Sequence, residues 1–282
     1  MKLAQIRDSS GTLTAAIVED GSYRPIPEHS VASLIRKAEE QGRSLGEVAS
    51  EMTVTGTVSV DPAIPVTPSE VWGCGCTYAP SAEFRDGELG TGEGMYGYVH
   101  NPAHRPEIFF KGTSRYCVGP GEAIGIRADS KFTAPEPELA IVINSRGDIV
   151  GYTLGNDVSA WDIEKENALY LPQSKAYEAC CSLGPVIVTP EEIANPYDLE
   201  LSCTITRNGE TTFEGSASTA LLRRKFEELA EYLLRSNPVP APAVIFTGTG
   251  IIVTEEAALQ PGDAVTIEAP AIGKLVNPAK VV

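Results

Sequence analysis

Residues 135–157 read PEPELAIVINSRGDIVGYTLGND. Glu136 and Glu138 stand two apart at the head of the apolar run 139–143. In a strand, residues two apart point to the same face, so both carboxylates project into one space. Pro135 and Pro137 suit a strand start or an edge. Ser145-Arg146-Gly147-Asp148 should close a hairpin onto the run 149–154. If that second strand pairs with the first, Asp157 returns beside Glu136 and Glu138. Three oxygen donors without a soft ligand suit a hard cation, Mg²⁺, Mn²⁺ or Ca²⁺. Like charges this close are costly unless a cation or proton lies between them. The other reading, three solvated carboxylates at strand ends, stays open.

On either side of this stretch, short apolar or alternating runs recur at 71–74, 108–111, 186–189, 201–207, 244–247 and 264–269, separated by Gly-, Pro- or Asn-containing turns. Many strands with little helix suggest a sandwich or rolled sheet. The spacing predicts one long amphipathic helix over 218–234, with Ser218 as N-cap and Leu221, Leu222, Phe226, Leu229, Tyr232 and Leu233 on one face. Before residue 66, strands are expected at 2–7 and 13–19 and a helix at 31–40. The proline-rich stretch 61–68 reads as a linker, dividing the chain into 1–66 and 67–282.

The whole chain has 282 residues, and its 22 Lys and Arg against 38 Asp and Glu leave a net charge of −16. An acidic surface repels phosphate backbones and anionic lipid, so neither nucleic acid nor a membrane is an expected partner. No apolar run is long enough to span a bilayer, and Met1 to Asp8 lacks a basic stretch followed by an apolar one, so a cytoplasmic location is expected. Six cysteines without CxxC spacing form neither a disulfide scaffold nor a thiolate zinc site. Three histidines, His29, His100 and His104, leave few candidates for a His-based triad.

Other motifs remain double-edged. Gly90, Gly92, Gly94 and Gly97 fit neither Rossmann nor P-loop spacing and read as a loop or lid. Thr247-Gly248-Thr249-Gly250 follows an apolar strand and forms either a nest of N–H groups for an anion or a tight turn. Lys175 is either a group that binds a substrate carboxylate or moves a proton, or an ordinary surface lysine.

Several stretches together carry a resemblance. Pro-Glu-Pro-Glu-Leu-Ala (135–140), Gly-Tyr-Thr-Leu-Gly-Asn-Asp (151–157), Lys175 with Leu-Gly-Pro (183–185), Thr-Gly-Thr-Gly (247–250), Leu-Gln-Pro-Gly-Asp-Ala-Val (259–265) and Ile-Gly-Lys-Leu-Val-Asn (272–277) occur in this order. The chain so resembles the fumarylacetoacetate hydrolase superfamily over residues 70–282. The resemblance implies a mixed α+β, β-rich fold, with a rolled β-sheet catalytic domain behind a small N-terminal α/β domain. It implies Mg²⁺ or Mn²⁺ held by Glu136, Glu138 and Asp157, a homodimer or higher homo-oligomer, and a 2-oxo acid contacted by Lys175 and the Gly248-Thr249 region.

Hydrolases of that superfamily carry Gly-x-Asn-Tyr-x-x-His-x-x-Glu, whose His and Glu activate water. Here Ser81 and Phe84 hold those two positions. Glu83, His100 or His104 would have to supply a replacement base. A longer run, 162–175 followed by Cys180-Cys181, with Phe109-Phe110-Lys111, is similar to the 2-keto-3-deoxy-sugar-acid dehydratase branch. That branch implies a lyase. The substrate's carboxylate and 2-oxo group chelate the metal, the C3 proton leaves to give a metal-stabilised enolate, and the C4 hydroxyl is eliminated, giving 2-oxoglutarate semialdehyde in non-phosphorylating pentose degradation. Lys175 and Glu164 are then the catalytic candidates, with Glu166 and Lys111 as further contacts to substrate hydroxyls. The ligands must be deprotonated, so activity should fall in acid. Alternatives are hydrolysis of a 2,4-dioxo-3-deoxy sugar acid or an acylpyruvate, a metal-dependent decarboxylase or isomerase, and a protein that binds a sugar acid without turnover.

Overall fold

The computed structural model describes residues 1–8, 10–52, 55–89 and 94–282. Strands Pro137–Ile143 and Ile149–Asp157 form the expected hairpin, with Leu139 opposite Leu154 and Glu138 opposite Gly155. The side-chain oxygen of Asn144 accepts from the N–H groups of Arg146 and Asp148 at 3.0 and 2.9 Å and shapes its turn.

This hairpin is the centre of a ten-stranded sheet among the described residues. Beyond Ile149–Asp157 come Cys181–Val188, Lys2–Arg7, Leu13–Glu19 and Ser22–Ile26; beyond Pro137–Ile143 come Ala243–Phe246, Glu70–Gly75 and Glu107–Gly112. The short strand Cys117–Val118 pairs in parallel with Cys181–Val188. Strands Lys2–Arg7, Leu13–Glu19 and Ser22–Ile26 thus extend the same sheet, Lys2 opposite Val188 and Leu3 opposite Ile187.

Pro137–Ile143 is buried along its whole length because both its faces are covered. Ala140 and Val142 pack with Val31, Leu34 and Ile35 of helix Val31–Gln41. Leu139, Ile141 and Ile143 pack instead with Leu201, Ile205, Val265 and Ile267 of a second, five-stranded sheet. Ser30 and Gly42 cap helix Val31–Gln41, the first through its side chain, the second in the left-handed conformation.

The helix predicted over 218–234 is confined to Phe226–Leu234. Ser218 ends strand Glu210–Ser218, and its hydroxyl caps one 3-10 turn, Thr219–Leu221, accepting from the Ala220 N–H at 3.2 Å. The backbone then runs extended: Leu222 bridges to Tyr78, and the Arg223 N–H donates to the Thr77 carbonyl at 3.0 Å. Backbone groups spent on that pairing are not free for helical bonds. Leu221 is consequently exposed, while Phe226, Leu229 and Leu233 form the buried face.

Two further helices fall near the glycine-rich stretch, Ala79–Leu89 and Met95–His100. Gly94 caps the second and Gly97 lies within it, whereas Gly90 and Gly92, half of the expected loop or lid, lie outside the described residues. Among the described residues, no helix is long and apolar enough to cross a membrane.

Candidate active site

The hairpin register brings the three sequence-derived carboxylates together. Glu138 faces Gly155 across the strand pair, and the Asp157 N–H donates to the Glu136 carbonyl at 3.0 Å. Gly155 leaves room there: a Cβ at that position would lie 2.0 Å from the Phe246 ring. One carboxylate oxygen from each of Glu136, Glu138 and Asp157 lies within 4.8 Å of the others, and all three residues are buried. The reading of solvated strand ends therefore gives way.

Lys175 is not a surface lysine. It closes the short helix Leu171–Lys175 and is buried, its Nζ 2.6 Å from Glu136 Oε2, 2.7 Å from Ser159 Oγ and 3.3 Å from Asp157 Oδ2. The second oxygen of Glu136 accepts from Trp161 Nε1 at 2.5 Å and from Arg85 at 3.2 Å. Burial alone would raise the Glu136 carboxyl; Lys175 and Arg85 outweigh it and hold it below the ordinary range. For Lys175, burial works against the charge, but Asp157 and Glu136 hold the ammonium well above its ordinary value. Glu138 differs: among the described residues it pairs with no cation and accepts only the Gly248 N–H, at 2.5 Å. Burial, then the charges of Asp157 and Glu136, push its carboxyl well above the usual range.

These groups line one cavity. Glu164 is on its wall, paired with Arg85 and accepting from Ser174 Oγ at 3.3 Å. Gly248 and Thr249 are also on the wall. The Gly248 N–H is spent on Glu138, so the nest considered for that loop holds the protein's own carboxylate. Thr249 Oγ1 is engaged with the backbone of Ile251. Lys111 lies behind the wall: its Nζ is 2.5 Å from Asp157 Oδ1 and donates to the Val158 carbonyl at 2.8 Å. Glu166 is exposed outside the cavity.

At the two hydrolase positions, Ser81 Oγ donates to the Thr249 carbonyl at 2.5 Å and Phe84 packs against Trp161. Glu83 is exposed, and neither His100 nor His104 lines the cavity. His100 Nδ1 sits 2.8 Å from the Cys76 carbonyl, and His104 stacks on Tyr98.

Besides Trp161 and Ser159, two charged site residues were not anticipated. Arg85, from helix Ala79–Leu89, joins Glu136 to Glu164 with its guanidinium over the Trp161 ring. Glu107 lines the cavity from strand Glu107–Gly112, and burial followed by the Glu164 charge raises its carboxyl. Period-two alternation from Lys111 back through Phe109 points to Glu107.

The donor set fits a divalent cation. Glu107, Glu136, Glu138, Asp157 and Glu164 face the cavity, against Arg85 and Lys175 on the wall and Lys111 behind it. With every carboxyl ionised, as a bound cation requires of its ligands, two negative charges are left over. All-oxygen ligands and that imbalance suit Mg²⁺ or Mn²⁺.

The family described as Fumarylacetoacetate (FAA) hydrolase C-terminal matches residues 92–280. This chain belongs to the fumarylacetoacetate hydrolase family. It is 41% identical over 289 positions to the 2-dehydro-3-deoxy-D-arabinonate dehydratase of Saccharolobus solfataricus, with 99% of this chain and 96% of that protein covered. It is 44% identical over 279 positions to a probable 2-keto-3-deoxyxylonate dehydratase of Haloferax volcanii, covering 98% and 94%. Its structure is similar to that of 2-keto-3-deoxy-D-arabinonate dehydratase complexed with magnesium and 2,5-dioxopentanoate, with a TM-score of 0.83, 38% identity, and 100% and 99% of the two chains covered. The sheet-rich architecture is that of the family's dehydratases.

Proposed function

We propose that this chain is a lyase that removes water from a 2-keto-3-deoxypentonate to give 2,5-dioxopentanoate, which is 2-oxoglutarate semialdehyde. The observation that carries the reading is the buried trio Glu136, Glu138 and Asp157, set in one cavity with Lys175, Glu107 and Glu164. The relatives named as dehydratases of such acids support it. Glu136, Glu138 and Asp157 are the ligands of one Mg²⁺, a place Mn²⁺ also suits. When bound, the cation withdraws electron density from the 2-oxo acid head and acidifies C3.

The remaining work falls to side chains. Lys175 stays cationic, so it serves as the positive pole that orients Glu136 and Asp157 and receives the substrate carboxylate. Glu107 faces the cavity and, among the described residues, forms no ion pair; it accepts the C3 proton. Its raised affinity for a proton suits that role. Glu164, steadied by Arg85 and Ser174, contacts the departing C4 hydroxyl. Lys111 acts from behind by fixing Asp157, and the Gly248-Thr249 loop fixes Glu138. The C3–H and C4–O bonds break, the proton taken up by Glu107 passes to the departing hydroxide, water leaves, and tautomerisation delivers the aldehyde. No water nucleophile is used, in keeping with Ser81 and Phe84 where a hydrolase holds its His and Glu. Residues 1–66 form a structural unit and residues 67–282 the catalytic one. The protein works in the cytoplasm as a homodimer or larger homo-oligomer, which light scattering on the purified chain tests.

The test of the reaction is mass spectrometry of products from 2-keto-3-deoxypentonates and from a 2,4-dioxo acid, with Mg²⁺ and with EDTA. Mg²⁺-dependent loss of one water from the pentonate is expected. Cleavage of the dioxo acid to pyruvate and a second acid, with the pentonate untouched, would replace the lyase with a hydrolase.

A further inference from the structure

Two thiols outside the cavity stand close together. Cys117 opens the short strand Cys117–Val118, and Cys181 opens Cys181–Val188; the two residues are direct partners in a parallel pair. Their sulfurs are 3.5 Å apart, although the residues are 64 positions apart in sequence. A disulfide needs its sulfurs at about 2.05 Å, so the two have about 1.5 Å left to close. Cys117 is half-exposed and Cys181 is buried. Cys180, the neighbour in sequence, is engaged differently: its sulfur accepts from the Tyr177 N–H at 3.4 Å.

We propose that Cys117 and Cys181 are an oxidant-sensitive modification site that forms an intramolecular disulfide. Its position gives the bond a consequence. The segment between the two cysteines carries Glu136, Glu138, Asp157, Glu164 and Lys175. Cys181 is also the direct cross-strand partner of Asp157. Joining the two sulfurs closes the chain that bears the carboxylate trio into a ring and pins the strand beside Asp157. A cross-link of this span removes many conformations from the unfolded chain and few from the folded one.

The oxidant is a hydroperoxide. The Cys117 thiolate attacks one peroxide oxygen, the O–O bond breaks, and hydroxide leaves, giving a sulfenic acid. The Cys181 sulfur then attacks Cys117 Sγ. The S–S bond forms, the S–O bond breaks, and the departing hydroxide takes the Cys181 proton as water. Two thiols lose two electrons, and hydrogen peroxide gains them to become two waters.

The experiment treats the purified full chain with hydrogen peroxide or with a reducing phosphine, alkylates it after denaturation, and maps peptides by mass spectrometry. The oxidised chain should lose two of its six alkylatable thiols and yield one peptide linking Cys117 to Cys181. Its Tm should rise by roughly 5–10 °C, reversibly on reduction. Cys117→Ser, at a half-exposed position, should show neither the linked peptide nor the rise. Six free thiols after peroxide, a cross-link between two chains, a link through Cys180, or an equal Tm rise in Cys117→Ser would each overturn the proposal.

Discussion

The Gly248 N–H donates to Glu138 Oε2 at 2.5 Å, joining the loop after strand Ala243–Phe246 to a carboxylate of the neighbouring strand. Gly248 reaches that position at φ +94°, and a Cβ there would lie 1.9 Å from Thr77 Oγ1. Thr77 is itself held, its hydroxyl donating to the Thr247 carbonyl at 2.6 Å. Only glycine aims this N–H at Glu138 without strain.

Gly248→Ala should therefore destabilise the chain by about 2–4 kcal/mol, through left-handed strain and the clash with Thr77. Mg²⁺ affinity should fall as well, because Glu138 loses the Gly248 hydrogen bond. Denaturant unfolding and calorimetric Mg²⁺ titration read the two effects; a variant with wild-type values in both would remove Gly248 from the account.

Lys175→Met takes the ammonium away from Glu136 and Asp157 while keeping most of the side-chain volume. Breaking a buried pair costs about 3–5 kcal/mol in the metal-free chain. We expect kcat/KM to drop at least about 100-fold, with Mg²⁺ still bound and part of the lost stability restored by it. Near-normal kinetics would leave Lys175 a structural residue.

Glu107→Gln keeps the shape of the cavity and deletes a proton acceptor. The expected loss in kcat is on the order of 10²–10⁴-fold, with Mg²⁺ affinity unchanged. A variant that loses Mg²⁺ binding instead would make Glu107 part of the metal site.

The pH dependence of stability follows from Glu138 and Glu136. Burial and the charges of Asp157 and Glu136 hold the Glu138 carboxyl above its ordinary value, so the metal-free folded chain binds that proton more tightly than the unfolded chain. Its contribution is full below the ordinary carboxylate range and is lost as pH rises through the raised value. Glu136 has the opposite sign: burial opposes it, but Lys175 and Arg85 hold it low, and its contribution is lost as pH falls below the ordinary range. A cation requires Glu138 deprotonated, so the Tm increment produced by Mg²⁺ should grow with pH. Melts with Mg²⁺ and with EDTA between about pH 5 and pH 8 check this. In Glu138→Gln the increment should disappear, while the metal-free chain keeps or gains stability because one repelling charge is gone.

What the sequence made legible is what lies close along the chain. Glu136, Glu138 and Asp157 share one hairpin, where period two and a turn signal place side chains without knowledge of the rest of the fold. Lys175 was a candidate, but its burial depends on where helix Leu171–Lys175 docks, which no local pattern states. Arg85 reaches Glu136 across 51 positions, from a helix with no strong apolar stripe. Lys111 follows Glu107 and Phe109 along one strand, where the pairing shifts register, and only the packing shows that it meets Asp157 from behind. The overlong helix at 218–234 has the same origin: Leu221 and Leu222 fit a helical period, but pairing of residues 222–223 with 77–78 overrides it.

Metal-dependent dehydration is read by following 2-keto-3-deoxypentonate by NMR in D₂O with the purified chain and Mg²⁺, then again after chelation. The expected result is 2,5-dioxopentanoate with solvent deuterium in its C3–C4 methylenes, no pyruvate, and no conversion once the cation is removed. Pyruvate as the product, or dehydration that continues unchanged in the chelator, would contradict it.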